Sequence, residues 1–264
     1  MENLPPLYSI RAWTADGYPA QIAFNEEMRA TGVEVVDIFA PIRGCTTFGE
    51  WAERVVADIL NQHPEDSPLH LVGYCFGGSL LHVALCELER GGVSSEYVGM
   101  ISVRELMPAV RLDRGYDSVF GVPWAKRLRF QLIRFTPPDR ESISAVFGSV
   151  ARRMARSCRE FAAGGWMPAT RRNRELGGSR WLWANWENDS IVTPVHSYVS
   201  PNAIAAYWPG NPSIGRSGLM KGGFVIRWIE GTHETCIEPP YSTDLIARIN
   251  ADRRAVVAGV GAFQ

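Results

Sequence analysis

Two residues in this 264-residue chain stand in settings where they could do chemistry together, Cys75 and His233. The cysteine lies in Leu69-His70-Leu71-Val72-Gly73-Tyr74-Cys75-Phe76-Gly77-Gly78-Ser79-Leu80, an apolar run, a Gly-x-Cys-x-Gly turn and the start of a helical pattern. A tight strand-to-helix turn of this kind holds a nucleophile in a strained backbone conformation. Glycines two residues before and after it avoid collisions with the neighbouring main chain. The helix behind the turn directs the positive end of its dipole at the thiol, which favours thiolate. The N–H of Phe76 is then placed to stabilise an oxyanion. The plainer reading is an inert buried cysteine in a glycine-rich turn. A strand on one side and a helix on the other favour the chemical one.

A thiol nucleophile needs a base. His233 follows the apolar run Phe224–Ile229 and Glu230-Gly231-Thr232, and it precedes the last helical pattern of the chain. Of the five histidines it alone has this position between a terminal strand and a terminal helix. His70 and His82 fall in a strand and a helix, where structural roles suffice. His63 and His196 fall in expected loops, with His196 the weaker alternative for a site residue. An imidazole acting as a base is oriented by an acid, and the order nucleophile, acid, histidine is expected. Asp189, after the run Trp181-Leu182-Trp183-Ala184, meets that order. Glu187 shares its loop, Glu105 just past Val98–Val103 is a rival, and a turn or capping role is the plain reading of Asp189.

The elements needed to position these residues are legible as strand and helix in alternation. Strands are expected at Leu7–Ile10, Val33–Phe39, Leu69–Val72 and Val98–Val103. Helices are expected near 19–31, 46–62 (capped by Thr46 or Thr47) and 78–90. Such alternation implies βαβ units around a parallel sheet. Residues 111–176 break the pattern and read as helices. It resumes with Trp181–Ala184 and Phe224–Ile229, and closes with a helix from about Ser242 to Ala258. The Pro- and Gly-rich stretch 193–222 reads as a long loop near the site. The expected organisation is an α/β core from 1–110 and 177–264 with a helical lid insertion at 111–176, which with the cysteine turn and late histidine is an α/β-hydrolase fold.

Bulk properties narrow the function classes. The chain is 46% hydrophobic and 21% charged, as a soluble globular protein is. A formal net charge of −1 gives no global field towards nucleic acid or membrane. No basic-then-apolar leader opens the chain, and no apolar run approaches the ~20 residues of a spanning helix. Five cysteines without a CxxC pair argue against a zinc site or disulfide framework, and a reducing, cytoplasmic location is expected.

These motifs resemble the thioesterase family of polyketide and nonribosomal peptide biosynthesis, in a variant with a cysteine nucleophile. The resemblance is carried by Leu4-Pro5-Pro6-Leu7-Tyr8, Phe48-Gly49-Glu50-Trp51-Ala52 and Asn61-Gln62-His63-Pro64 leading into Leu69–Gly78. Gly231-Thr232-His233-Glu234-Thr235 with Glu238-Pro239 completes it. It implies a Cys75–His233–Asp189 triad, with Phe76 N–H as one oxyanion donor. The second donor is expected from the loop after the first strand, where the family commonly has a His-Pro-small-Gly-Gly type sequence. Here Arg11-Ala12-Trp13-Thr14-Ala15 stands there, which makes Trp13 N–H the choice and Ala12 the alternative. Many members linked to synthases carry the acid directly after the strand equivalent to Val98–Val103. This chain has Arg104 there, in favour of Asp189. Dienelactone hydrolases have a similar cysteine elbow but no insertion of this size, and polyhydroxyalkanoate synthases are much longer.

The resemblance implies acyl transfer from a thioester on phosphopantetheine or coenzyme A, with an acyl or peptidyl carrier protein as partner, a small-molecule acyl acceptor, and no cofactor or metal. A cysteine would store the acyl group as a thioester, still activated towards water, an amine or a hydroxyl. Residues 111–176 hold thirteen Arg and one Lys against three Asp and three Glu. A basic lid would steer an acidic carrier, although solvated helical faces account for it equally well. The rival functions are an esterase resembling dienelactone hydrolase and a non-catalytic binding protein of the same fold.

Overall fold

Short apolar runs set off by glycine and proline become six strands: β1 Leu7–Ile10, β2 Val35–Ile38, β3 His70–Tyr74, β4 Tyr97–Ile101, β5 Val195–Val199 and β6 Phe224–Trp228. The computed structural model describes residues 4–11, 18–42, 45–64, 67–103, 189–201 and 218–260. The strands form one sheet in the order β2-β1-β3-β4-β5-β6, with every adjacent pair parallel. Among the described residues four helices accompany it: α1 Pro19–Ala30, α2 Phe48–Gln62, α3 Phe76–Arg90 and α4 Tyr241–Val257. The expected insertion at 111–176 and the expected strand Trp181–Ala184 lie outside the described residues.

Because side chains alternate across a strand, each strand feeds two cores. Leu71, Val98 and Met100 pack with Trp51, Val55 and Ile59 of α2 and with Leu80, Leu81 and Ala84 of α3. Val72, Tyr97 and Ile101 pack with Phe24 and Met28 of α1 and with Leu245 and Ile249 of α4. Helices therefore cover both faces, which is why β1, β3, β4 and β5 are buried at every residue. Thr47 caps α2, its hydroxyl accepting from Glu50 N at 3.1 Å, and the Glu50 carboxylate accepts in return from Thr46 N at 2.7 Å. Among the described residues no helix is long and apolar enough to cross a membrane.

Strand β1 lies between β2 and β3, so the chain leaves it in one direction and later returns on its other side. Loops diverge at such a switch and open a crevice at the carboxyl ends of the strands. Cys75 directly follows β3, at the carboxyl edge of the sheet beside that switch. The segment after β1, with Trp13 and Ala12, lies outside the described residues.

One element departs from the sequence reading. The expected loop 193–222 contains β5, paired on both sides. Pro194 and Pro201 bracket it, and His196 and Ser197 interrupt its apolar character, so it carries no continuous hydrophobic signal. Tertiary partners compensate the polar groups. Asp252 of α4 lies 3.4 Å from His196 Nδ1, and its carboxylate accepts at 2.7 Å from both Tyr198 and Arg227. Burial opposes the charge of Asp252, but the hydrogen bonds from His196, Arg227 and Tyr198 outweigh it and hold the carboxyl well below its usual range.

On β3, the fully buried His70 accepts a hydrogen bond at Nδ1 from Arg253 Nε, at 3.1 Å. Burial, with the Arg253 charge second, pushes the imidazole down to about 3. An unfolded histidine titrates near ~6.5, so below that pH the unfolded chain binds a proton that the folded one refuses. This contribution is complete above the unfolded value and is lost as pH falls towards the folded one. Stability in urea should therefore decline from pH 6 to pH 4 by up to about 1.4 kcal/mol per pH unit from His70. Asp252 should add to the loss below about pH 4. Denaturation midpoints across this range are the check, and His70→Gln should flatten the upper part of the curve.

Candidate active site

The turn after β3 is built by close packing of main chain on main chain. A Cβ on Gly73 would stand 2.7 Å from Gly78 Cα and 2.8 Å from Gly77 O, and one on Gly78 would meet Val103 Cγ2 at 2.0 Å. The crowding thus falls two residues before Cys75, as expected, and also three residues after it. Between these contacts Cys75 adopts φ 54° and ψ −122°, a region that residues with a side chain rarely visit. Its N–H donates to Ile101 O at 3.0 Å and its carbonyl accepts from Gly78 N at 3.1 Å. Cys75 is also the N-cap of α3, so its thiol stands at the positive end of a 15-residue helix. Phe76 opens that helix, and its N–H precedes the helix's own hydrogen-bond ladder. The Phe76 ring packs edge-on against Phe48, centroids 5.7 Å apart, and lies against Trp51 at 6.0 Å.

His233 arrives from the other side of the sheet. After β6 the chain turns at Gly231, with φ 84°, and brings His233 Nε2 to 3.1 Å from Cys75 Sγ. The backbone of His233 is pinned at its carbonyl, which accepts from Tyr74 OH at 2.6 Å and from the Cys236 thiol at 3.7 Å. The Tyr74 ring stacks on the imidazole at 5.6 Å, and Tyr18 stacks on Tyr74 at 6.2 Å. Burial pushes the Tyr74 phenol up and the Cys236 thiol up to about 12, so both keep their protons. Held this way, the imidazole can take a proton from Cys75 and return it.

The acid expected from sequence is elsewhere. Asp189 precedes β5 and so belongs to the amino-terminal edge of the parallel sheet, whereas Cys75 and His233 follow their strands at the carboxyl edge. Its carboxylate lies 3.3 Å from the Arg90 guanidinium and its carbonyl is 2.9 Å from His82 Nε2. These partners lie two or more turns along α3, whose first residue follows Cys75, so Asp189 is not beside Cys75 or His233. Among the described residues the strand paired with β4 begins at Val195, after Asp189, which places Asp189 at the opposite edge. His196 is inside the sheet, beside Asp252, and does not line the site. Glu105, Glu187, Trp13 and Ala12 lie outside the described residues.

The residue that does meet His233 Nδ1 is Ser102, whose Oγ is 2.9 Å away. Ser102 directly follows β4, has φ 47°, and is fixed by its N–H donating to Tyr198 O at 2.8 Å. Both Ser102 and His233 are buried. A search for carboxylates passes over it, and its one sequence signal is its place at the end of an apolar run. Among the described residues no cluster of three or more His, Cys, Asp or Glu side chains could hold a metal ion.

Comparison with known proteins finds no matching family model and no matching curated protein. Solved structures do match. The NocB thioesterase domain, in covalent complex with a fluorophosphonate nocardicin G analogue, superposes with a TM-score of 0.56 at 17% identity, covering 97% of this chain and 95% of that one. RedJ, the thioesterase of the prodiginine biosynthetic pathway in Streptomyces coelicolor, superposes with a TM-score of 0.55 at 16% identity in its form with a bound PEG molecule, covering 95% and 89%. The four-domain nonribosomal peptide synthetase AB3403 matches over 94% of this chain and 19% of its own, with a TM-score of 0.59 at 15% identity. A parallel six-stranded sheet flanked by helices agrees with these matches: this chain has the α/β-hydrolase fold seen in thioesterase domains.

Proposed function

We infer that the chain is a thioesterase-like acyl-transfer enzyme of natural-product biosynthesis that works through a Cys75 acyl-enzyme. The observation that carries this reading is the 3.1 Å contact between His233 Nε2 and the thiol of a cysteine held at positive φ on a helix N-terminus. An inert core cysteine needs neither the strained backbone nor a pinned imidazole. The solved thioesterase domains with the same fold supply the reaction class.

In this mechanism His233 Nε2 takes the Cys75 proton as Sγ attacks the carbonyl carbon of an acyl thioester. Phe76 N–H and, from the loop after β1, Trp13 N–H bind the oxyanion. The carbon–sulfur bond to the donor then breaks, and His233 returns the proton to the departing phosphopantetheine or coenzyme A thiol. In the second half His233 removes a proton from water, an amine or a hydroxyl. That acceptor attacks the thioester, and Cys75 leaves and is reprotonated. The basic segment 111–176 supports an acidic carrier protein as the donor, by electrostatic steering.

Cys75→Ala should abolish turnover and the covalent acyl adduct seen by intact-protein mass spectrometry with an acyl-thioester donor. An adduct that persists would remove Cys75 from the mechanism. Asp189→Asn should stay within a few-fold of wild type, and not fall by the roughly 10⁴ that loss of a triad carboxylate costs. Cys75→Ser should keep slow hydrolysis but lower the ratio of transferred or cyclised product to free acid. An oxygen ester is less activated than a thioester, and a hydroxyl gives up its proton less readily than a thiol. Product analysis with one carrier-bound donor measures that ratio.

A further inference from the structure

An imidazole nitrogen makes one in-plane hydrogen bond, and its partner decides which tautomer the ring adopts. For His233 Nε2 to accept the Cys75 proton, Nδ1 must carry the hydrogen and donate it. A carboxylate enforces this because it can only accept. A hydroxyl can donate or accept, so a serine at 2.9 Å from Nδ1 settles the tautomer only if its own proton is committed elsewhere.

The contact at Nε2 decides the matter. The Cys75 thiol, 3.1 Å away, has a proton to give there, so Nε2 accepts, Nδ1 carries the ring hydrogen, and Ser102 Oγ receives it with its own proton turned away from the ring. Cys236 is completely buried, keeps its proton, and donates it to His233 O at 3.7 Å, which holds the main chain behind the ring.

We propose that Ser102 is the positioning residue of the Cys75–His233 pair: its hydroxyl oxygen accepts from His233 Nδ1 and keeps Nε2 open to the Cys75 thiol. Cys75 S–H points to Nε2 and Nδ1–H to Ser102 Oγ, while the His233 carbonyl accepts from Cys236 S–H and from Tyr74 O–H. When Cys75 ionises, the imidazolium keeps the same Nδ1 bond, and no proton moves to Ser102. A thiol suits this arrangement, since its proton affinity in water lies within about two pH units of imidazole's, and the base needs little support from an anion. The positive φ of Ser102 fits the role, because it turns a side chain at the end of β4 towards His233.

The proposal rests on Cys75 and His233 acting as a pair, and its test needs no acyl donor. The rate of Cys75 alkylation by iodoacetamide, localised by mass spectrometry and corrected with Cys75→Ala, is followed against pH in the full chain. Other titratable groups facing the pair are Tyr18 before α1, Tyr74 on β3, and Glu234, Cys236 and Glu238 between β6 and α4. They are the same in wild type and variants. Ser102→Gly removes the hydroxyl at a backbone angle that glycine adopts freely. It should raise the apparent pKa of alkylation by about one unit, a loss of roughly tenfold in rate near neutrality, as expected for one hydrogen bond to a charged group. Ser102→Asp, also tolerant of positive φ, should lower that pKa by a unit or more, because an anion beside Nδ1 favours the imidazolium. A profile unmoved in the folded Ser102→Gly protein would overturn the proposal and leave Ser102 a packing residue. Failure to form an acyl adduct with intact, Ser102-dependent alkylation would instead overturn the thioester reading alone.

Discussion

The main chain of β3 and the first turn of α3 meet so closely at Gly73 and Gly78 that neither position has room for a methyl group. That contact brackets the sharp reversal between them, and Cys75, at its apex, stands at positive φ. The strain is of the order of 1–3 kcal/mol, held by burial of α3 along nearly all of its length. In return, the thiol projects above the carboxyl edge of the sheet, over the end of a helix dipole. Everything else at the site is arranged around a sulfur that cannot move.

His233 shows how a long chain separation is closed. It lies 158 residues beyond Cys75, and the parallel sheet returns it to the same edge because every described strand points the same way. Position at the edge is coarse, of the order of a strand spacing of ~4.8 Å. The last ångströms come from Tyr74, which neighbours Cys75 in sequence and stacks on and bonds to His233. One residue thus ties His233 to the turn that carries Cys75. Farther along the sheet, polar side chains of β5 and β6 converge on Asp252 in a similar way, holding the last strands to α4 rather than making a second site.

The chemistry proposed here follows from a site whose neighbours are mostly neutral. Cys236, Tyr74 and Ser102 surround the imidazole with hydrogen-bonding groups that retain their protons. Such a setting adds no further buried charge beside the Cys75–His233 pair. It also places the demand for reactivity on the nucleophile, where a sulfur atom meets it more readily than an oxygen. A cysteine at position 75 and a serine at position 102 are in this sense complementary.

Much of this was legible in the chain itself, for identifiable reasons. Gly73-Tyr74-Cys75-Phe76-Gly77-Gly78 is a local motif, and local backbone sterics determine its turn. His233 was marked by its place after an apolar run and before a helix. The alternation of strands and helices up to residue 103 established a parallel sheet. Strand β5 was hidden because its polar residues are compensated by Asp252 and Arg227, partners far away in sequence. Asp189 was misplaced because a loop's edge of the sheet depends on which segment is the strand, and that is decided by pairing with β4. Ser102 carried no signal beyond its place at the end of an apolar run, since a hydroxyl becomes a partner for an imidazole only where folding brings Nδ1 within reach. Sequence alone singled out Cys75 and His233, because their geometry is local or follows from strand direction. Tertiary structure alone decided what stands behind the base, because that hydrogen bond joins the ends of two strands across the sheet.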